Sequence, residues 1–346
     1  QPHPERGVFG SDVQEANDGG TEMSNITAND RRQSLIIKPR LAKCDDRNIE
    51  AKSHPVLGEP DQWFTKDFLN SRGYTGVSFD FFIDWNQKKC MDEIWIKRIS
   101  LCNVCKLNED ILLSETLRLG DDISAIREFC RQIKLSAFYI IFEDDVDWKN
   151  HPKPILKVRI GPDGFKDFEY KSLNEIMDTI RSLSGGPLGI GRKGLTFGTS
   201  TLECYLAKSD APWPGDVDLI LIDKGTNQVV AILEFKKHNL KTPIGEQKLS
   251  NYYPKPDARK YDRLALLRDR IGRSVPIVVL YYPTSTVHNE IHLEVVTGPV
   301  GKLHTKRSRL LSIRGKTIND LQQELLDGIV QLVQQDVFDK APRREN

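Results

Sequence analysis

Two apolar runs joined by a tight turn constrain this chain more than any other feature. Asp216-Val-Asp-Leu-Ile-Leu-Ile222 and Val229-Val-Ala-Ile-Leu-Glu-Phe-Lys236 flank the turn-forming quartet Lys224-Gly-Thr-Asn227, so the stretch reads as a β-hairpin. Side chains alternate along a strand, which sends Glu234 and Lys236 out of the same face. Both interrupt an apolar strand, and a buried charge is costly unless it is paired or bound to something. With residues 225 and 226 at the centre of the turn, Asp218 lies opposite about residue 233, and a loop offset of one reaches Glu234. Two carboxylates meeting beside a lysine make an oxygen-rich site suited to Mg2+.

The surroundings of the hairpin are mixed α and β. A helix follows, with Tyr261, Leu264, Leu267 and Ile271 on one stripe, then strands at Val275 to Tyr282 and Ile291 to Val296. A final amphipathic helix runs from about Ile318 to Phe338, capped by Thr317. Upstream, Gln62 to Leu69 reads as one short helix, and Val77 to Ile83 and Phe138 to Phe142 read as strands. Leu156 to Ile160 and Phe165 to Tyr170 form a strand pair around Gly-Pro-Asp-Gly164, and Leu173 to Leu183 is a helix. At roughly 150 residues per domain, a chain of 346 residues predicts two. Residues 1–55 read as a flexible tail, although Ser34 to Ile37 has the makings of a short strand. Residues 56–170 read as an α+β N-terminal domain and 171–346 as a second domain carrying the hairpin and the C-terminal helix. No internal repeat is visible.

The text Pro214-Gly-Asp-Val-Asp218, fifteen residues, then Glu234-Phe-Lys236 resembles the PD-(D/E)xK nuclease superfamily. The order acidic helix, hairpin, helix from Asp257 to Ile271, then strand agrees with it over about 80 to 130 residues. The resemblance implies an α/β fold, a restriction-endonuclease-like mixed sheet flanked by helices, with an additional α+β N-terminal region. It implies that Asp218, Glu234 and the Phe235 carbonyl hold Mg2+, with Mn2+ able to substitute. Lys236 would orient the attacking water or stabilise charge on the phosphate. The family adds a glutamate from the helix before the hairpin, for which Glu203 is the first candidate and Glu175 the second. The implied activity is a metal-dependent endonuclease acting on DNA in preference to RNA. One rival is a non-catalytic nucleic-acid-binding protein on the same fold. Another is a plain hairpin in which Asp218, Glu234 and Lys236 only pair with one another.

Charge distribution bears on the partner. Lys and Arg total 50 against 49 Asp and Glu, a net charge of +1, which by itself argues against a polyanion. Residues 185–316, however, hold 21 basic and 12 acidic residues, a balance of +9 that leaves −8 for the remainder. The basic part is where nucleic acid would dock, and the acidic part is left for recognition, regulation, a protein partner or self-association. Candidate phosphate contacts are Arg192 and Lys193 in the loop Gly189-Ile-Gly-Arg-Lys-Gly194, and Arg259, Lys260 and Arg263 on the helix after the hairpin. Lys302, Lys306, Arg307 and Arg309 form a further basic group. The glycine loop follows a helix rather than a strand, so it does not predict dinucleotide binding.

Cys102-Asn-Val-Cys105 reads as a pair of ordinary thiols, or as half of a zinc site completed by Cys90, Cys44 or His54. Six cysteines without a secretory signal fit a reducing, intracellular compartment. Glu143-Asp-Asp-Val-Asp147 reads as a solvated strand end or a second cation site, and His238 as a capping residue or an aid to proton transfer. No run approaches the roughly 18 apolar residues of a membrane span, so no membrane partner is expected.

Overall fold

The computed structural model describes residues 34–51, 55–189 and 195–338. In chain order the elements are β1 (Ile36–Ile37), β2 (Ala42–Lys43), α1 (Pro60–Trp63), α2 (Lys66–Ser71), β3 (Tyr74–Asp84) and β4 (Lys89–Ser100). There follow α3 (Glu109–Arg118), α4 (Ile123–Ile133), β5 (Ser136–Glu143), β6 (Ile155–Gly161), β7 (Gly164–Lys171) and α5 (Leu173–Leu183). The remainder is β8 (Phe197–Gly198), α6 (Thr201–Leu206), β9 (Gly215–Asp223), β10 (Val229–His238), α7 (Ala258–Ile271), β11 (Ile277–Pro283), β12 (Glu290–Thr297), β13 (His304–Ser312) and α8 (Ile318–Phe338).

Eleven strands form one mixed sheet, ordered β13-β12-β11-β10-β9-β3-β4-β5-β6-β7, with β1 added beside the end of β4. Alternation along each strand feeds apolar side chains to both faces, as a sheet covered on both sides requires. Ile94, Ile96, Ile220 and Ile222 belong to the core under α3, α4 and α7. On the opposite face Leu219, Leu221 and Leu233 pack beneath α1, α2 and α8. Trp95, Ile140 and Phe142 pack beneath α5 and α6 on that same opposite face.

The two halves of the sheet share one connectivity. β3 and β4 are antiparallel, β4 and β5 are parallel across α3 and α4, and β5-β6-β7 is an antiparallel meander followed by α5. Likewise β9 and β10 are antiparallel, β10 and β11 are parallel across α7, and β11-β12-β13 is a meander followed by α8. The antiparallel pair β3–β9 joins the halves into one sheet across the boundary expected at residue 170. The sequence hides this repeat because helices and loops differ in length and only the strand order is kept.

Two expectations change. The tail read through residue 55 joins the packed body from Ser34 onward, because Ile36 is fully buried and β1 pairs with Ile99 and Ser100. The single helix read from Gln62 to Leu69 is two, interrupted where the Thr65 hydroxyl accepts the Phe68 backbone N–H and caps α2. Among the described residues, no helix is long and apolar enough to cross a membrane.

Candidate active site

The β9–β10 ladder pairs Leu219 with Leu233 and Ile220 with Ile232, so continuing its register sets Asp218 opposite Glu234. There β9 is irregular. Its pairing with β3 shifts between Val77↔Ile220 and Phe79↔Val217, and the Ser78 hydroxyl donates to the Asp218 carbonyl at 2.6 Å. A bulge re-aims the side chains it carries. Here it turns the Asp218 carboxylate into the ladder, where Oδ2 accepts the Phe235 backbone N–H at 2.6 Å in place of a main-chain carbonyl.

Glu234 is 0% exposed. Its Oε1 lies 2.7 Å from Lys260 Nζ and 3.6 Å from Lys236 Nζ, while Oε2 accepts no hydrogen bond from the described residues. Glu294, two strands away and 1% exposed, shows the contrasting structural solution. It accepts the Leu249 backbone N–H at 2.7 Å, the Tyr281 hydroxyl at 2.9 Å and the Thr305 hydroxyl. A buried carboxylate costs several kcal/mol unless its lone pairs are met. One glutamate meets that requirement within the fold and the other does not. Lys236 is held by Asp257 at 3.0 Å, with its ammonium 5.0 Å from the Tyr252 ring centre and 5.5 Å from that of Tyr261. Tyr252 is in turn fixed by donating to Gln247 Oε1 at 3.0 Å.

The electrostatics follow from this crowding. Burial, and then the neighbouring charge of Glu234, raise the Asp218 pKa well above the ordinary carboxylate range. Burial disfavours the Lys260 charge, but Asp216, Glu234 and Asp218 outweigh it and raise its pKa. Lys260 Nζ also stands 3.9 Å from Asp216 Oδ1.

A cavity of about 710 Å3 opens between α2 and α6 over β3, β4 and β9, and Asp80, Lys97, Glu203, Asp216, Asp218 and Phe235 line it. Its volume is in the range of ligand sites. Glu203 Oε2 meets Lys97 Nζ at 3.1 Å and accepts the Thr199 backbone N–H at 2.8 Å and the Thr199 hydroxyl. Burial would raise its pKa, yet Lys97 and the Thr199 donors hold it below the usual glutamate range. Glu203 therefore shares the cavity with Asp218 but is committed to Lys97. Asp80 accepts the Trp213 indole N–H at 2.8 Å, and burial pushes its pKa up to about 6 against the pull of Lys97. Glu175 is elsewhere: it closes the capping box of α5, accepting the Ser172 backbone N–H at 2.7 Å.

The other candidates separate cleanly. Lys260 enters the site. Arg259 lies on the surface with its guanidinium 4.9 Å from the Trp85 ring centre, and Arg263 packs against Gly215. Arg192 and Lys193 lie outside the described residues. Lys306, Arg307 and Arg309 stand on β13, the sheet edge, three strands from β10, with Lys302 just before it; Arg309 bonds Gln331 at 2.7 Å. In the acidic run 143–147, Asp144 Oδ1 accepts both the Thr201 backbone N–H and hydroxyl at 2.7 Å and Asp147 closes its own turn, so the run serves the chain's own backbone. His238 is buried, with Nε2 2.7 Å from the Thr242 carbonyl and its ring against His288. The zinc reading loses Cys44, which forms a disulfide with Cys204, while Cys90, Cys102, Cys105 and Cys130 are free. His54 lies outside the described residues. The disulfide also departs from the expectation of six reduced thiols.

Sequence reasoning missed Asp80, Lys97 and Asp216. Asp80 had left the same signal as Glu234, a lone carboxylate inside an apolar strand. Among the described residues, no group of three or more His, Cys, Asp or Glu side chains is gathered closely enough to hold a metal ion. Comparison with family models, with curated proteins and with solved structures finds no match.

Proposed function

We propose that this protein is a metal-dependent nuclease hydrolysing phosphodiester bonds of DNA, built on a restriction-endonuclease-like core, with Asp218, Glu234 and Lys236 at its centre. The observation that carries the reading is Glu234: fully buried, opposite Asp218 in the ladder, and with an Oε2 that accepts no hydrogen bond from the described residues. Hard carboxylate oxygens match Mg2+ and Mn2+ in donor chemistry. Asp218, Glu234 and the Phe235 carbonyl would hold the ion; that carbonyl leaves the strand on the side where the Phe235 N–H meets Asp218. Once bound, the ion would lower the pKa of a water and offset the charge gathering on a phosphate.

The chain's own residues would do the remaining work. Asp257 and the two tyrosine rings hold the Lys236 ammonium beside Glu234, where it would face a phosphate oxygen. Glu203, in the same cavity, keeps Lys97 in place. The basic second half supplies long-range attraction for the polyanion. The first half, which repeats the strand order without the acidic pair, would contribute recognition or contacts with a protein partner.

A second reading is binding without cleavage. It is favoured by the absence, among the described residues, of a third ligating side chain beside the pair. Labelled duplex DNA incubated with the purified full chain and Mg2+ or Mn2+ separates the two, with Asp218→Ala and Glu234→Ala run alongside. Cleavage lost in both variants supports the nuclease. Retention of DNA with no cleavage under either ion supports the second reading.

A further inference from the structure

We infer that Lys260 is a built-in counter-ion standing in the cation position beside the Asp218–Glu234 pair, so that a divalent ion enters only as this lysine leaves. The inference rests on the reading of that acidic pair as an ion site and adds how the site is kept while no ion is bound.

Three observations carry it. Lys260 Nζ sits 2.7 Å from Oε1 of Glu234, the carboxylate an ion would use, and 3.9 Å from Asp216 Oδ1. Glu234 is 0% exposed and has no water-facing route to neutralisation, whereas Lys260 is 31% exposed and sits in the first turn of α7. Its long stem can therefore swing its ammonium to solvent without unfolding the helix. The lysine is the movable partner and the glutamate the fixed one.

The third observation is an internal control. Matching the halves on their parallel pairs, Ile232↔Ile277 and Ile94↔Ala137, sets Glu234 against Ile96 and Lys236 against Arg98. The β3 residue next to the Asp80↔Trp95 pair, where Asp218 would fall, is Phe79. Arg98 bonds Asp121, just before the N-cap of α4, at 2.6 Å, as Lys236 bonds Asp257, the N-cap of α7, at 3.0 Å. Counted from N-cap to N-cap, Lys260 falls on Ala125. Where the carboxylates are absent, the basic–Asp pair persists but the lysine does not. The Lys236–Asp257 pair thus has a counterpart in the half without the carboxylates, whereas Lys260 has none.

The test is a titration of the full chain with Mn2+, free ion being followed by its paramagnetic resonance, on wild type, Lys260→Met and Lys260→Arg. If the lysine holds the site most of the time, its removal tightens Mn2+ binding by about tenfold or more. Mn2+ then raises the unfolding temperature of Lys260→Met by more than that of the wild type, and Lys260→Arg behaves as wild type. Equal Mn2+ affinity in wild type and Lys260→Met, or no binding by Lys260→Met, overturns the inference. Should Lys260→Met not fold without ion, Lys260→Met/Glu234→Gln decides. Recovery of folding in the double variant supports the counter-ion, and failure to recover assigns Lys260 to packing. DNA cleavage is scored on the same samples. A Lys260→Met that gains Mn2+ affinity while no form cleaves DNA leaves this inference standing and removes the nuclease reading.

Discussion

Asp218 Oδ2 accepts the Phe235 backbone N–H at 2.6 Å, so the carboxylate that would bind an ion also completes the β9–β10 ladder. An amide oxygen can accept the same bond, but it carries no charge. Because burial and Glu234 both oppose the Asp218 charge, Asp218→Asn is expected to stabilise the fold at neutral pH by about 1–2 kcal/mol. The same change should lower Mg2+-dependent cleavage by at least roughly 100-fold. Denaturant midpoints and single-turnover rates read the two effects, and a variant less stable than wild type at pH 7.5 would contradict the electrostatic account.

Asp80 gives the site a pH signature. Its pKa in the folded chain is about 6, against an ordinary value of 3.8, so the folded state binds more protons than the unfolded state between those values. Stability contributed by this group is therefore fully present below about pH 4 and is lost as pH rises through 6. Asp80→Asn keeps an acceptor for the Trp213 indole and removes the titration. It should exceed wild type by about 2–3 kcal/mol at pH 8 and match it near pH 4. Equal gains at both pH values would locate the effect in packing.

Legibility in the sequence followed apolar patterning. The β9–β10 hairpin could be read because Leu219 to Ile222 and Val229 to Leu233 are unbroken apolar runs on either side of a turn, and Glu234 stood out as a charge at the end of the second. β4 could not, since Lys89, Asp92, Glu93, Lys97 and Arg98 break its apolar pattern; several of these charges are spent on ion pairs, Glu93 with Lys157 on β6, Lys97 with Glu203 on α6 and Arg98 with Asp121 before α4. β13 lies at the sheet edge and is mostly exposed, so no apolar alternation marks it. Lys260 reads as a surface residue of an amphipathic helix, and only the approach of α7 to β10 turns it toward Glu234. The duplicated strand order is likewise invisible, because Phe79 and Ile96 stand where the second half has its carboxylates.

Gly215 opens β9 and lies under the Arg263 guanidinium. A Cβ added there would come within 1.3 Å of Arg263 Nη1 and 2.1 Å of its central carbon. Arg263 would have to leave the space it shares with Trp213 and Leu188, one residue from Asp216. Gly215→Ala is expected to cost about 1–3 kcal/mol through overpacking. Gly215→Ala/Arg263→Ala should regain most of that loss in a double-mutant cycle; additive losses would mean that the backbone, and not the arginine, requires the glycine.

Cys44 and Cys204 are 160 residues apart and tie the β2 segment to α6, next to Glu203. A crosslink closing so long a loop restricts the unfolded chain strongly, so Cys44→Ala/Cys204→Ala should lose about 2–5 kcal/mol of stability. Reductant should produce a similar loss in the wild type and none in the double variant. Thiol titration in denaturant gives the covalent count directly: the four free cysteines react without reductant and all six react with it. Since Glu203 precedes Cys204 and receives Lys97, loosening α6 should also expose Lys97 and make cleavage more sensitive to salt. Six reactive thiols in freshly isolated, unreduced protein would mean that α6 is held without a crosslink, by its core packing and its bonds to Trp148, Asp144 and Lys97.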